Sequence, residues 1–538
     1  MEFIIDMVHD NPGEKRTETI FRNPETLVEY GYNTQVFKHF NTIARFEKLE
    51  GNFFPSEESK AWLKNMTSIV SRELYDAKKA GLMTMNHIDL FVLSKQLVEE
   101  YKDEICDADG KISIYKEKTK EIHRMMFDEL FEEYPTDGLI IRVGETYLHD
   151  TPYHTGNGAV KYGNTEQEKN TFVELINFLV EEVCQKHGKY LVFRTWDCFP
   201  NRFHADLQYY LDVTERIEPC EKLIFSIKHT ALDFWRRVKF NPCLGKGRHR
   251  QIVEVQCQRE YEGKGAYPSY VMNGVINGFP ENKEIIGLKD IADNPLICGI
   301  YTWSRGGGWF GPYIKNEFWC ELNTYVISQY AQDTKRSEKE IFMEFAKGKM
   351  GMDVGNANSF YRLCLKVSDA VLYGRYIEAY DKSLNEEMLP CNNWMRDDRI
   401  GGLRQLGGVF DYLEQNGLVE DALAEKEKAV KVWEEIKEMF NVIQIPDKKL
   451  REFIANSIEY GLRLFSIVNI SFKIFAKNRK NIPCGELLNE YDTAWEKYLE
   501  LEQRPQASSS YKDSYYFAEN CLGLNETIDL CRKQKNNI

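Results

Sequence analysis

The chain has 538 residues, 43% of them apolar, which suffices for a large core and leaves room for two or three domains. Its formal charge of −14, from 84 acidic and 70 basic residues, argues against nucleic acid or an anionic membrane as partner. No apolar run of about 18 residues offers a membrane span.

In chain order, short runs rich in Ile, Val, Phe and Tyr predict strands at Phe3–Met7, Thr34–Phe37, Leu82–His87, Leu139–Val143, Tyr190–Phe193, Leu223–Lys228, Ile252–Cys257 and Ile297–Trp303. Helical patterns separate many of them. Thr165–His187, for example, spaces Phe172, Leu175, Phe178, Leu179 and Val183 along one face. Strands alternating with helices predict parallel βαβ units, and eight units predict a closed (β/α)8 TIM barrel over residues 1–330. A doubly wound open sheet is the structural alternative. From residue 331 to 538 the texture becomes all-α. Long periodic helices are expected at Ser337–Lys349, Ser359–Ala379, Leu418–Phe440, Lys448–Ala476 and Gly485–Glu502, with Gly401, Gly402, Gly407 and Gly408 breaking one helical stretch. This second domain is expected to pack on the barrel or to form a dimer contact.

Several motifs are set aside on chemical grounds. DADG at Asp107–Gly110 lacks the carboxylate that a calcium loop needs at its first position, so it reads as a turn. GKGRH (Gly245–His249) and RGGGWFG (Arg305–Gly311) share only glycine content with phosphate loops. Neither H-E-x-x-H nor G-x-S-x-G occurs. The 13 cysteines are unevenly spaced and include no C-x-x-C, which predicts mostly buried, reduced thiols and no structural zinc. The opening MEFIIDMVHDNPGE has neither a basic n-region nor an apolar h-region, so a cytoplasmic protein is expected.

The chemistry points to the carboxyl ends of the strands. Glu145 follows GLIIRV, Asp233 follows LIFSIK, and Glu260 follows IVEVQC. Each alone reads equally well as a surface acid: Glu145 beside Arg142, Asp233 beside Arg236 or Arg237, Glu260 beside Arg259 or Lys264. Three acids at the strand ends of one barrel face instead suggest acid–base catalysis.

The segment FSIKHTALDFWRRVKFNP, followed by IVEVQCQREYEGKG, resembles glycoside hydrolase family 67, the α-glucuronidases, which carry K-x-x-x-x-D-F and then E-x-Q-x-x-x-E-Y-x-G. Lys228 stands five residues before Asp233, and Glu260 stands 27 after it. DGLIIRVGETY is similar to the segment bearing the general acid of that family, with Glu145 in its place, and FRTWD sets Arg194 at a carboxylate-binding arginine. The similarity covers roughly residues 130–330. The first strand begins at residue 3 where the family has an extra N-terminal domain, and MVHDNPGE lacks the tryptophan of the corresponding family loop.

The resemblance implies an inverting, exo-acting α-glucuronidase that takes uronic acid from short oligosaccharides. Glu145 would be the acid, and Asp233 with Glu260 would hold and activate water. Lys228, Arg194 and Arg142 would pair with the uronate carboxylate, Trp196, Trp303, Trp309 and Tyr147 would form sugar platforms, and His229, His149 and His154 would bond hydroxyls. It implies a homodimer through the helical domain; the chemistry requires no cofactor or metal. Two alternatives stay open: a retaining barrel glycosidase of a neutral sugar using Glu145 and Glu260, and a carbohydrate-binding barrel without catalysis.

Overall fold

The computed structural model describes residues 1–10, 16–160, 163–199, 201–307, 313–384, 395–396, 399–400, 403–510, 528–529 and 531–533. Eight parallel strands close into a barrel: β1 Phe3–His9, β2 Thr34–Phe37, β3 Met83–Asp89, β4 Gly138–Arg142, β5 Tyr190–Arg194, β6 Leu223–Lys228, β7 Arg250–Gln256 and β8 Ile297–Gly306. Each pairs with its sequence neighbours and β8 closes on β1, so the chain is a (β/α)8 barrel and not an open sheet. All eight predicted strands lie within about two or three residues of the observed ones.

The outer ring is uneven. Long helices follow β2 (Glu57–Lys79), β3 (Glu117–Glu133), β4 (Glu166–Leu179) and β8 (Phe318–Gln332), and a shorter one follows β5 (Leu207–Thr214). Ser56 and Thr165 begin two of them with capping boxes, satisfying the orphan N–H groups of the first turn. Between β6 and β7 no helix forms; residues 229–249 cross as a loop with a Thr230–Phe240 bridge. The predicted helix at 165–187 is α-helical only to Leu179 and then widens into a π-turn over Val180–Lys186.

Beyond the barrel, helices run at Glu338–Gly348, Val354–Arg375, Val419–Asn441, Lys448–Arg479 and Gly485–Leu499. Gly407 and Gly408 do not break a helix. They lie within Leu403–Gln415, where fully buried Leu406, Val409, Phe410 and Leu413 fix the helix through packing. Gly401 and Gly402 lie outside the described residues. The helical region shares one core with the outer barrel, and Arg236 of the β6–β7 loop bonds Tyr376 and Ser368. No described helix is long and apolar enough to cross a membrane. The described cysteines are free thiols, most of them buried.

Strand alternation sets the barrel interior. Its lower layers are apolar: Phe3, Ile5, Val36, Met85, Ile140, Val192, Ile224 and Ile252. Two residues further along the same inner faces stand His87, Arg142, Arg194, Ser226 and Glu254, so the interior turns polar towards the carboxyl ends.

Asp6 sits on the opposite face of β1. It is 1% exposed, and it accepts from Thr302 Oγ1 (2.7 Å), Ser304 Oγ (2.7 Å) and the Ser304 N–H (3.1 Å). Burial outweighs these donors and raises its pKa to about 7. The native state therefore keeps a proton that the unfolded chain releases near pH 4, and stability is lost as pH rises from about 4 to 7. Asp6→Asn removes that slope. Its unfolding free energy relative to wild type is expected to rise from pH 4 to 7, by up to about 1.4 kcal/mol per pH unit, and then level off. Parallel Tm–pH curves for the two proteins would refute this.

Candidate active site

The three acids converge at the carboxyl ends of the strands. Glu145, in the loop after β4, accepts a hydrogen bond from Trp196 Nε1 (2.7 Å) and another from the Tyr147 hydroxyl. Burial first, then the Glu145 charge, pushes the Tyr147 phenol far above its ordinary pKa, and Glu260 adds to that push. Tyr147 thus feels Glu145 and Glu260 together. Lys228, at the end of β6, lies with Nζ 3.4 Å from the centre of the Trp196 ring and donates to Asp233 Oδ1 (2.6 Å). Glu145, Trp196, Lys228 and Asp233 therefore form one contiguous wall. Cys198, exposed in the loop after β5, feels the charges of Glu145, Lys228 and Asp233.

Asp233 is held by more than Lys228. The Phe234 N–H donates to Oδ1 (3.0 Å) and the Tyr261 hydroxyl donates to Oδ2. Tyr261, 2% exposed, is clamped by stacking on Trp235 at 4.1 Å between ring centres. The helical region braces this loop from behind, since Arg375 Nη1 donates to the Tyr261 carbonyl (2.8 Å). Tyr261→Phe is expected to lower kcat about 5- to 30-fold with little change in Tm, because one charged hydrogen bond is lost and no cavity opens. Steady-state kinetics beside thermal melts check this; an unaltered kcat would remove Tyr261 from the machinery.

Glu260 is 7% exposed, and its N–H donates to Gln256 Oε1 (3.0 Å) at the end of β7. The chain after β8 passes close by. Gly307 has φ +88°, and a Cβ there would come within 2.5 Å of Gln256 Nε2 and 3.1 Å of Glu260 Oε2. Gly307 thus needs its glycine, both for its left-handed backbone and for its close approach to Glu260. Trp303, 6% exposed, stacks on His9 at 4.7 Å between centres. Trp309 lies outside the described residues.

The cations and histidines are placed differently from one another. Arg142 donates bidentately to Asp89 (2.5 and 2.7 Å), its in-register neighbour on β3. Asp89 Oδ2 also accepts from the Tyr147 and Leu148 N–H groups (2.8 Å each) and so shapes the Glu145 loop. Arg194 donates bidentately to Glu254 (2.7 and 2.8 Å), which also accepts from Ser226 Oγ. Both forks are therefore occupied by buried carboxylates rather than presented to a ligand. His229 is 2% exposed, with Nδ1 against the Glu254 carbonyl (3.3 Å), and burial lowers its pKa to about 3. His154 is buried beside Trp62 and Phe54, and His149 lies near the surface beside Asp150.

Asp89 had drawn no attention in the sequence, and Glu254, Gln256 and Tyr261 had counted only as letters of a pattern. Alternation held the signal. Arg142 lies two residues beyond Ile140 and Arg194 two beyond Val192, so both point into the barrel, where an arginine must have a carboxylate partner. Among the described residues, no group of three or more His, Cys, Asp or Glu could hold a metal ion. Asp107 accepts from the N–H groups of Asp109 and Lys111, which is the turn expected of DADG.

No family model matches the chain, and no curated protein sequence matches it. Among solved structures it is similar to a GH138 enzyme targeting pectin rhamnogalacturonan II, at 11% identity and TM-score 0.49, over 96% of this chain and 64% of that one. It is similar to an O-GlcNAc hydrolase from Thermobaculum terrenum, at 11% identity and TM-score 0.41, over 99% and 96% of the two chains. It is also similar to a GH115 4-O-methyl-α-glucuronidase with specificity for decorated arabinogalactans, at 10% identity and TM-score 0.45, over 98% and 60%. The chain thus spans less than two thirds of the length of the first and the third. Its own fold is a (β/α)8 barrel with Glu145, Asp233 and Glu260 grouped by shared neighbours beyond the carboxyl ends of its strands.

Proposed function

We propose that the protein is a glycoside hydrolase that removes a terminal uronic acid, α-linked, from short oligosaccharides, with inversion. The observation that carries this reading is the grouping of Glu145, Asp233 and Glu260, the first two joined through the Trp196–Lys228 contact and the first and third through Tyr147. Glycoside hydrolysis needs a proton for the leaving oxygen and an activated water or a nucleophile opposite it. Glu145, carried on the loop after β4, is assigned as the acid. Asp233, fixed by Lys228, Phe234 and Tyr261, positions the water, and Glu260 takes its proton. Trp196 and Trp303, both nearly buried, would line the sugar site by their edges. The chemistry needs no cofactor. The family 67 resemblance supports the uronic acid and the inverting outcome.

One observation favours a second reading, a retaining enzyme with Glu145 as acid and Glu260 as nucleophile. Both of these acids act on Tyr147, whereas Asp233 is fully engaged by donors. Proton NMR of a uronic-acid oligosaccharide during digestion separates the two, because the first anomer released is inverted or retained. Release of no sugar from acidic or neutral glycosides would defeat both readings and leave a carbohydrate-binding barrel.

A further inference from the structure

The uronate reading leaves a question of charge. Each cation that the sequence offered to a substrate carboxylate is already matched by an internal one: Arg142 by Asp89, Arg194 by Glu254, and Lys228 by Asp233. Drawing any of these away would leave a buried acid unpaired, which costs more than the new contact returns.

Lys38 is different. It follows β2 directly, and its Nζ meets His9 Nδ1 (2.9 Å) and the Asp10 carbonyl (2.9 Å). An ammonium has three N–H donors, so one remains. Among the described residues, no carboxylate lies within ion-pair distance of Lys38; the nearby Asp10 carboxylate is taken by Arg22. Lys38 is also reachable. It lines a cleft of about 430 Å³ whose wall is apolar at Phe37, Trp62 and Met66 and charged further out, where Arg16 pairs with Glu73 and Arg22 with Asp10. Two polar atoms in that wall, Gln35 Oε1 and His39 Nδ1, are buried without a partner.

The same lysine is one ring away from the acids. His9 joins it to the pocket, stacking on Trp303 and meeting Tyr147 edge-on at 6.2 Å between centres, and Tyr147 bonds Glu145. Burial, and then the charge of Arg142, hold the Lys38 ammonium well below its ordinary pKa. An arriving carboxylate supplies the missing counter-charge.

Resting on the uronic-acid reading above, we propose that Lys38 is the specificity-determining residue, binding the substrate carboxylate through its spare N–H while Arg142 and Arg194 only brace the pocket. The test uses the whole protein and a matched pair of aryl glycosides, a uronide and the neutral hexoside of the same configuration. Lys38→Met is expected to raise KM for the uronide about 10- to 100-fold, to leave kcat and KM for the hexoside within about twofold, and to be partly rescued by Lys38→Arg. Equal losses on both substrates would make Lys38 structural and overturn the proposal, as would an unchanged uronide KM; in either case the uronide reading stands. A wild-type enzyme that cleaves the hexoside and ignores the uronide would overturn the proposal and the uronide reading together, while leaving a glycosidase.

Discussion

Glu145→Gln is expected to lower kcat about 10²- to 10⁴-fold while leaving Tm within a degree or two. Glutamine keeps the volume, its one oxygen can still accept from Trp196 Nε1 and its N–H can donate to the Tyr147 hydroxyl oxygen, so the wall formed with Lys228 and Asp233 should stay in place. What is lost is the proton for the departing oxygen. The loss should therefore scale with how badly the leaving group needs that proton. Aryl glycosides with acidic phenols should retain most of the wild-type rate, and natural oligosaccharides should retain almost none. A comparison of kcat across a series of leaving groups, with melts alongside, makes the check. A loss that is uniform across the series would move Glu145 out of the acid role, and full activity would remove it from the chemistry.

Arg194→Met is expected to act mainly on stability, by about 3–5 kcal/mol. Arg194 and Glu254 are both essentially inaccessible to solvent, and their pairing is bidentate. Burial alone would raise the Glu254 pKa, but the charge and hydrogen bonds of Arg194 outweigh it and leave the carboxyl below its ordinary value. In the wild type, Glu254 therefore contributes stability that is present above about pH 4.5 and lost as pH falls below it. With Arg194 gone the sign reverses, because an unpaired buried acid prefers its proton. The stability gap between the two proteins should widen from acid to neutral pH in denaturant titrations. Replacing both partners, Arg194→Met with Glu254→Leu, should recover much of the loss, since two apolar groups leave no charge stranded. A soluble, equally stable Arg194→Met protein with a raised KM for an acidic sugar would mean instead that the arginine faces substrate.

The fate of the three cations shows where reading a sequence reaches its limit. Arg142, Arg194 and Lys228 were all placed correctly at strand ends, because apolar runs and their β-branched residues mark strands strongly. Their partners could not be placed in the same way. Asp89 stands 53 residues before Arg142, and Glu254 stands 60 after Arg194. Nothing local announces either pairing. Lys38 went unnoticed for a related reason: it follows a four-residue strand, and its value lies in lacking a carboxylate partner.

The helical half repeats the lesson. Amphipathic spacing located its long helices to within a few residues, yet glycines at 407 and 408 suggested a break where packing of Leu406, Val409, Phe410 and Leu413 sustains a turn. The support that Arg375 gives to the Tyr261 carbonyl also joins residues more than a hundred positions apart.

The order of strands, their closure into a barrel and the three acids at its mouth were set by the sequence itself, because alternation and apolar runs are local properties that pair strands in register. Which charges neutralise one another, and which lysine is left with a donor to spare, were decided only by the tertiary structure. Those outcomes depend on which strand lies beside which inside a closed barrel, and on the high cost of leaving any buried charge without its partner.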